Sequence, residues 1–182
     1  MSERTAKDPA GGGATPTIRP ERPGDAEAIR EVVTAAFPTP AEAGLVDALR
    51  RAGRLAASLV AIDRGGVIVG HVALSPVTVD GRAAPALGLA PVAVAPAHQG
   101  RGIGGALVRA AVAAARERGA ALCVLLGAPG YYGRLGFGPA EALGLTSEYD
   151  AGDAFQALVL DPERAPGLRG LVRYAPEFAD LE

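Results

Sequence analysis

The residue pattern predicts an α/β fold in which strands and helices alternate along the chain, and three observations lead there. Residues 91–105 read as a strand, a glycine-rich turn and the opening of a helix. Residues 58–63 and 67–76 are β-branched runs parted by Arg64-Gly65-Gly66, the pattern of a hairpin. Between and around them, apolar residues recur at helical spacing, as in Ile29, Val32, Val33 and Phe37.

Taken in order, residues 17–20 form a short first strand limited by Pro20 and Pro23. Asp25 is placed to N-cap a helix that runs to about Phe37, where Pro38 and Pro40 end it. A second helix near residues 42–52 sets Leu45, Val46 and Leu49 on one face and closes at Gly53. After the hairpin, a turn at Asp80-Gly81 leads into a strand over about residues 86–95. Pro91 interrupts that strand, and a proline inside a strand implies an edge or a bulge. The helix from Ile103 to about Arg118 is packed by Leu107, Val108 and Val112, with Gly119 at its C-terminal cap. Residues 121–127 and 154–160 supply two later strands, and the remaining residues read as a terminal wrap.

The glycine turn carries most of the functional information. Four glycines in six residues, Gly100, Gly102, Gly104 and Gly105, free the backbone to point several N–H groups into one concavity. The following helix adds the positive end of its dipole, and Arg101 adds a fixed charge, so the junction suits a phosphate. The spacing of Gly100, Gly102 and Gly105 also fits the dinucleotide fingerprint. That fold wants the first glycine directly after the strand and an acidic residue about 20 residues further on. Here Pro96, Ala97, His98 and Gln99 intervene, and the strand at 121–127 ends without a carboxylate. No Gly-Lys-Ser/Thr follows the glycines, which excludes a Walker loop.

Gln99, Gly102 and Gly104 instead fill the Gln/Arg-x-x-Gly-x-Gly/Ala signature of the acetyl-coenzyme A loop in the GNAT superfamily of N-acetyltransferases, which the turn resembles. A second element agrees in order and spacing: Tyr131-Tyr132-Gly133-Arg134-Leu135-Gly136-Phe137 is similar to that family's aromatic-Tyr-x-x-Leu-Gly-Phe segment. The Gly127-Ala128-Pro129-Gly130 run before the tyrosine pair resembles the small bacterial YhbS-like subgroup. The likeness runs from about Thr17 to the C-terminus and is strongest over residues 89–137.

The resemblance implies a GNAT fold: a central, mixed, mostly antiparallel twisted sheet flanked by about four helices, with one bulged strand splayed from its neighbour to admit a pantetheine arm. It implies that backbone groups of Val92, Ala93 and Val94 hold that arm. Gln99, Gly100, Arg101, Gly102, Ile103, Gly104 and Gly105 would then form the pyrophosphate loop. Tyr132 aligns with a tyrosine that can act as general acid toward the coenzyme sulfur, since a phenol of pKa ~10 can share a proton with a thiol. The plain alternative for Tyr132 is an aromatic packed in the core, and Tyr131 is assigned to packing. Relatives often carry a basic carboxylate on the bulged strand, and residues 86–94 offer none. Glu42, His71, Glu148 and Asp150 stand as alternatives acting through water, with His71 more readily a structural histidine and His98 a loop residue. The acceptor pocket would come from segments 37–44, 74–82 and 144–152, which carry no recognisable specificity pattern.

Composition bounds the other readings. The 182 residues carry a formal net charge of −2 and no extended basic run, so no nucleic-acid partner is expected. Residues 1–16 mix charge with Gly and Pro and read as a flexible tail, with residues 17–182 as one domain. No apolar stretch reaches the ~20 residues of a membrane span, so no membrane partner is expected. Cys123, alone and within an apolar strand, is a packed thiol and suits a reducing cytoplasm. Two distant histidines without a neighbouring cysteine do not make a metal site. Two functions stay open: an acetyl-coenzyme A-dependent N-acetyltransferase acting on an unidentified small-molecule or protein amine, and a non-catalytic acyl-coenzyme A binding module. A homodimer is compatible with either.

Overall fold

A computed structural model describes residues 15–181, so the expected tail lies, over residues 1–14, outside the described residues. The elements run β1 (Thr17–Pro20), α1 (Ala26–Ala36), α2 (Ala41–Arg51), β2 (Ala57–Ile62), β3 (Ile68–Val79) and β4 (Arg82–Val94). They continue with α3 (Ile103–Glu117), β5 (Leu122–Leu126), α4 (Pro129–Tyr132), β6 (Gly138–Pro139), β7 (Leu145–Ser147), β8 (Phe155–Val159) and β9 (Gly170–Arg173). The open sheet has the order β1-β2-β3-β4-β5-β8-β6, and every pair along that path is antiparallel except β4 with β5. β9 runs against the far end of β3, with β7 beside it.

Side-chain alternation along the strands sorts the helices onto two faces. Leu59, Ala61 and Val72 join Leu107, Val108 and Ala111 of α3, while Val60 and Ala93 join Ile29 and Val33 of α1 and Val46 of α2. Asp25 takes the expected position before α1 but makes no side-chain cap. Its carboxylate is held by both nitrogens of the Arg19 fork, at 2.6 and 3.2 Å, and by the Arg22 N–H at 2.7 Å, which fastens β1 to the start of the helix.

Pro91 produces a bulge, and β4 is no edge. Leu74 faces Leu89 but Val72 faces Val92, so β4 spends one more residue than β3 over this interval. On its other side β4 pairs with β5 only through Ala86, Leu87 and Gly88. Beyond Gly88 the two parallel strands part, leaving a slot flanked by Leu89 to Val94.

The C-terminal wrap contains a strand the pattern did not announce. Asp80, at φ +49°, turns the β3–β4 hairpin, and its carboxylate and N–H bond the N–H and carbonyl of Leu171, each at 2.8 Å. That clamp docks β9 and carries Tyr174 and Phe178 over the sheet, where they join a core cluster with Val77, Val124 and Phe155.

Candidate active site

The glycine turn is open where an anion needs it. Gly100 and Gly102 hold φ of +73° and +79°, conformations that a side chain disfavours. Gly102 stands at the N-cap of α3 with no capping side chain, and Ala106 is the residue whose N–H bonds back to the Gly102 carbonyl, at 3.1 Å. The N–H groups of Ile103, Gly104 and Gly105 therefore belong to the helix's free first turn. The Ile103 side chain is buried in the core, which anchors that turn, while Arg101 is exposed. Arg101, Arg64 and His98 line a hollow of about 380 Å³ beside the loop.

The strand leading into the turn has one open edge. Ala95 donates its N–H to the Val69 carbonyl at 2.9 Å. Backbone groups alternate sides along a strand, so those of Ala93, which pairs with His71, also point to β3. Val92 and Val94 turn theirs to the slot, and the Gln99 side chain uses that exposure to bond the Val94 carbonyl at 3.0 Å. The expectation for three successive residues thus narrows to Val92 and Val94; Ala93 is spoken for by the sheet.

The tyrosine pair closes the slot from the side of α4. Tyr132 is half-buried, its ring edge-on to Tyr131 at 4.9 Å and to Phe137 at 5.9 Å. It packs against Gly127, where any Cβ would overlap it. Burial, and secondarily Tyr131, raises the Tyr132 phenol above its ordinary pKa, so it is protonated and able to donate at neutral pH. Tyr131 is not the packed ring the sequence suggested. It is 38% exposed, with the Arg134 guanidinium 5.8 Å from its ring centre. Its hydroxyl reaches over the start of α3, 2.9 Å from where a Cβ on Gly104 would stand.

Tyr132 lines a cavity of about 420 Å³ at the mouth of the slot, together with Leu89, Ala90, Pro91, Val92 and Leu126. Phe37 and Glu42 enter from the α1–α2 side, and Tyr149, Tyr174, Phe178 and Leu181 from the C-terminal segments. Of the three expected acceptor segments, 37–44 and 144–152 reach this cavity and 74–82 does not, because that hairpin end is committed to β9. The aromatic wall from Tyr174 and Phe178 went unforeseen.

Among the four alternative bases, Glu42 alone lies on this cavity, and its Oε2 is buried without a hydrogen-bond partner. Glu148 accepts the Tyr174 N–H at 2.7 Å, and Asp150 rims a different hollow. His71 is fully buried in a structural chain: Arg50 bonds Glu21 at 2.7 Å, Ser58 donates to Glu21, and His71 Nε2 meets Ser58 Oγ at 2.8 Å. Burial pushes the His71 imidazole down to about 4, with Glu21 opposing and Arg50 adding to the shift. For Glu21 burial acts upward, but the hydrogen bonds from Arg50 and Ser58 outweigh it and hold the carboxyl low. Burial likewise pushes the Cys123 thiol up to about 12, which leaves no thiolate for nucleophilic work.

Comparisons with known proteins bear on the family and the fold. A family profile described as an acetyltransferase (GNAT) domain matches residues 17–140. The chain is 38% identical over 162 residues to the uncharacterized N-acetyltransferase YhbS of Escherichia coli K12, covering 88% of this chain and 97% of that one. The crystal structure of E. coli YhbS in complex with CoA superposes with a TM-score of 0.87 at 37% identity, over 96% of both chains. A GNAT family acetyltransferase from Brucella melitensis in complex with acetyl-CoA superposes with a TM-score of 0.75 at 42% identity, over 89% of this chain and 97% of that one. The chain belongs to the GNAT superfamily of acetyltransferases.

Proposed function

We propose that the protein transfers the acetyl group of acetyl-coenzyme A to the primary amine of an acceptor bound beside it in the cavity. The observation that carries this reading is the position of Val92, which lies on the open backbone edge of β4 and also lines the cavity with Tyr132. Val92 with both its backbone groups, and Val94 with its N–H, offer an extended amide chain the pairing of a neighbouring strand. Amides of the 100–105 turn, with Arg101, suit a pyrophosphate, and Gln99 braces the turn against Val94. Ala93 keeps the strand in register between the two binding residues. The donor supplies an activated thioester carbon. Two relatives crystallised with CoA or acetyl-CoA support the choice of donor.

Holding donor and acceptor together contributes much of the rate, because the bimolecular encounter is replaced by a positioned one. The acceptor ammonium yields one proton to Glu42, directly or through water. Its nitrogen then forms a bond to the thioester carbon, and the carbon–sulfur bond breaks. Sulfur leaves with the electron pair and takes the Tyr132 phenol proton. The nitrogen's second surplus proton restores the phenol, and the proton on Glu42 passes to water. The rival reading, a module that only binds the coenzyme, rests on the missing carboxylate of β4; the unpartnered Oε2 of Glu42 on the cavity favours the transferase reading over it. Incubation with acetyl-coenzyme A and an amine panel tests the proposal. Amine-dependent thiol release with a product heavier by one acetyl group is expected, and coenzyme binding without transfer to any amine would refute it.

A further inference from the structure

We propose that the cavity selects small primary monoamines whose amine is carried on an apolar body, aromatic or branched, and that Glu42 pairs with their ammonium group. This rests on the transferase reading above and adds the class of acceptor.

Charge complementarity leads to the cation. Among the described residues lining the cavity Glu42 is the single carboxylate, and no lysine, arginine or histidine accompanies it. Its Oε2 is buried with no partner, an arrangement that costs free energy until a donor arrives. Tyr174, 7% exposed and on the same cavity, likewise has its hydroxyl buried without a partner. Burial drives that phenol well above its ordinary pKa, so it stays neutral and adds no competing charge.

The walls lead to the apolar body. Apart from Glu42 and three tyrosines, each lining side chain is apolar, and Phe37, Tyr149, Tyr174 and Phe178 present aromatic surface that favours both a hydrocarbon body and a cation. At about 420 Å³ the cavity falls in the range of about 300–1,000 Å³ that takes small molecules. A second ammonium of a polyamine, or the carboxylate of an amino acid, held within the cavity would meet no opposite charge among the described lining residues beyond Glu42. A peptide would bring several main-chain amides, for which the described lining side chains offer no hydrogen-bonding groups besides Glu42 and three tyrosine hydroxyls.

The test measures thiol release at saturating acetyl-coenzyme A with phenethylamine and isoamylamine against spermidine, phenylalanine and a lysine-containing peptide. The two apolar monoamines are expected to exceed the others in kcat/KM by about tenfold or more. Glu42→Gln, nearly isosteric, should raise the KM for phenethylamine about tenfold or more through loss of a charge-assisted bond and lower kcat through loss of the proton acceptor, leaving the KM for acetyl-coenzyme A unchanged. Glu42→Asp should fall between the two. Spermidine, phenylalanine or the peptide turned over as well as phenethylamine would overturn the inference and leave the transferase reading standing. So would an unchanged amine KM in Glu42→Gln, once its melting temperature and coenzyme affinity match the wild type. Coenzyme binding without thiol release for any amine would overturn both.

Discussion

His71 offers a test of how the sheet beneath the site is held, because a buried neutral histidine makes stability fall in acid where a solvated one would leave it unchanged. It pairs with Ala93 on the bulged strand, and burial keeps it neutral down to about pH 4 in the fold. In the unfolded chain it binds a proton near pH 6.5. The unfolded state therefore carries more protons between those values, and stability falls as pH drops through 6.5, with the loss complete below about 4. The gap corresponds to about 3 kcal/mol, of which about 2 kcal/mol is lost between pH 7.5 and pH 5. For a chain of this length that is about 4–8 °C in melting temperature. Melting curves of wild type and His71→Asn across that interval would read it directly. Asparagine does not titrate, so the wild type should fall by about 4–8 °C more than the variant. Glu21 and Asp25, both held low, act in the same direction below their ordinary values, outside this interval. Equal slopes for the two proteins would refute the buried, neutral histidine.

Tyr132→Phe keeps the ring against Gly127, Tyr131 and Phe137, so stability and coenzyme affinity should change little while kcat falls about 10²- to 10⁴-fold where thiolate departure limits the rate; wild-type turnover in steady-state assays would leave only packing. Gly102→Val forces a β-branched residue into φ +79° at the head of α3 and should weaken coenzyme binding more than folding, whereas Arg101→Ala, which removes one exposed charge and no amide, should be milder. Calorimetric affinities in the reverse order would assign the site to the arginine instead of the backbone.

Much of the fold was legible because its long elements repeat their signal. Ile29, Val32 and Val33 mark α1, and Leu107, Val108 and Val112 mark α3, each set spanning more than one helical turn. Pro91 announced the bulge, since a proline within a strand leaves few alternatives. β6, β7 and β9, at two to four residues, are too short for a period of two to stand out. The cavity was legible in half. The glycine turn and Tyr132 are local in sequence. Tyr174 and Phe178 reach the site only because Asp80 clamps Leu171 across 91 residues and Glu148 holds the Tyr174 N–H. Glu42 left a fainter trace: three residues before Leu45 and seven before Leu49, it is an acid on the apolar face of α2, which the helical period places at the core side.

The binding of acetyl-coenzyme A at the 100–105 turn and the open edge of β4 is tested most directly by ligand-dependent melting. At 100 times its dissociation constant a ligand adds about 2.7 kcal/mol, which for a chain of this length is about 5–10 °C. Acetyl-coenzyme A should raise the melting temperature by that amount in the wild type and far less in Gly102→Val, while NAD leaves both unchanged. A shift with NAD and none with acetyl-coenzyme A would contradict the assignment of the site.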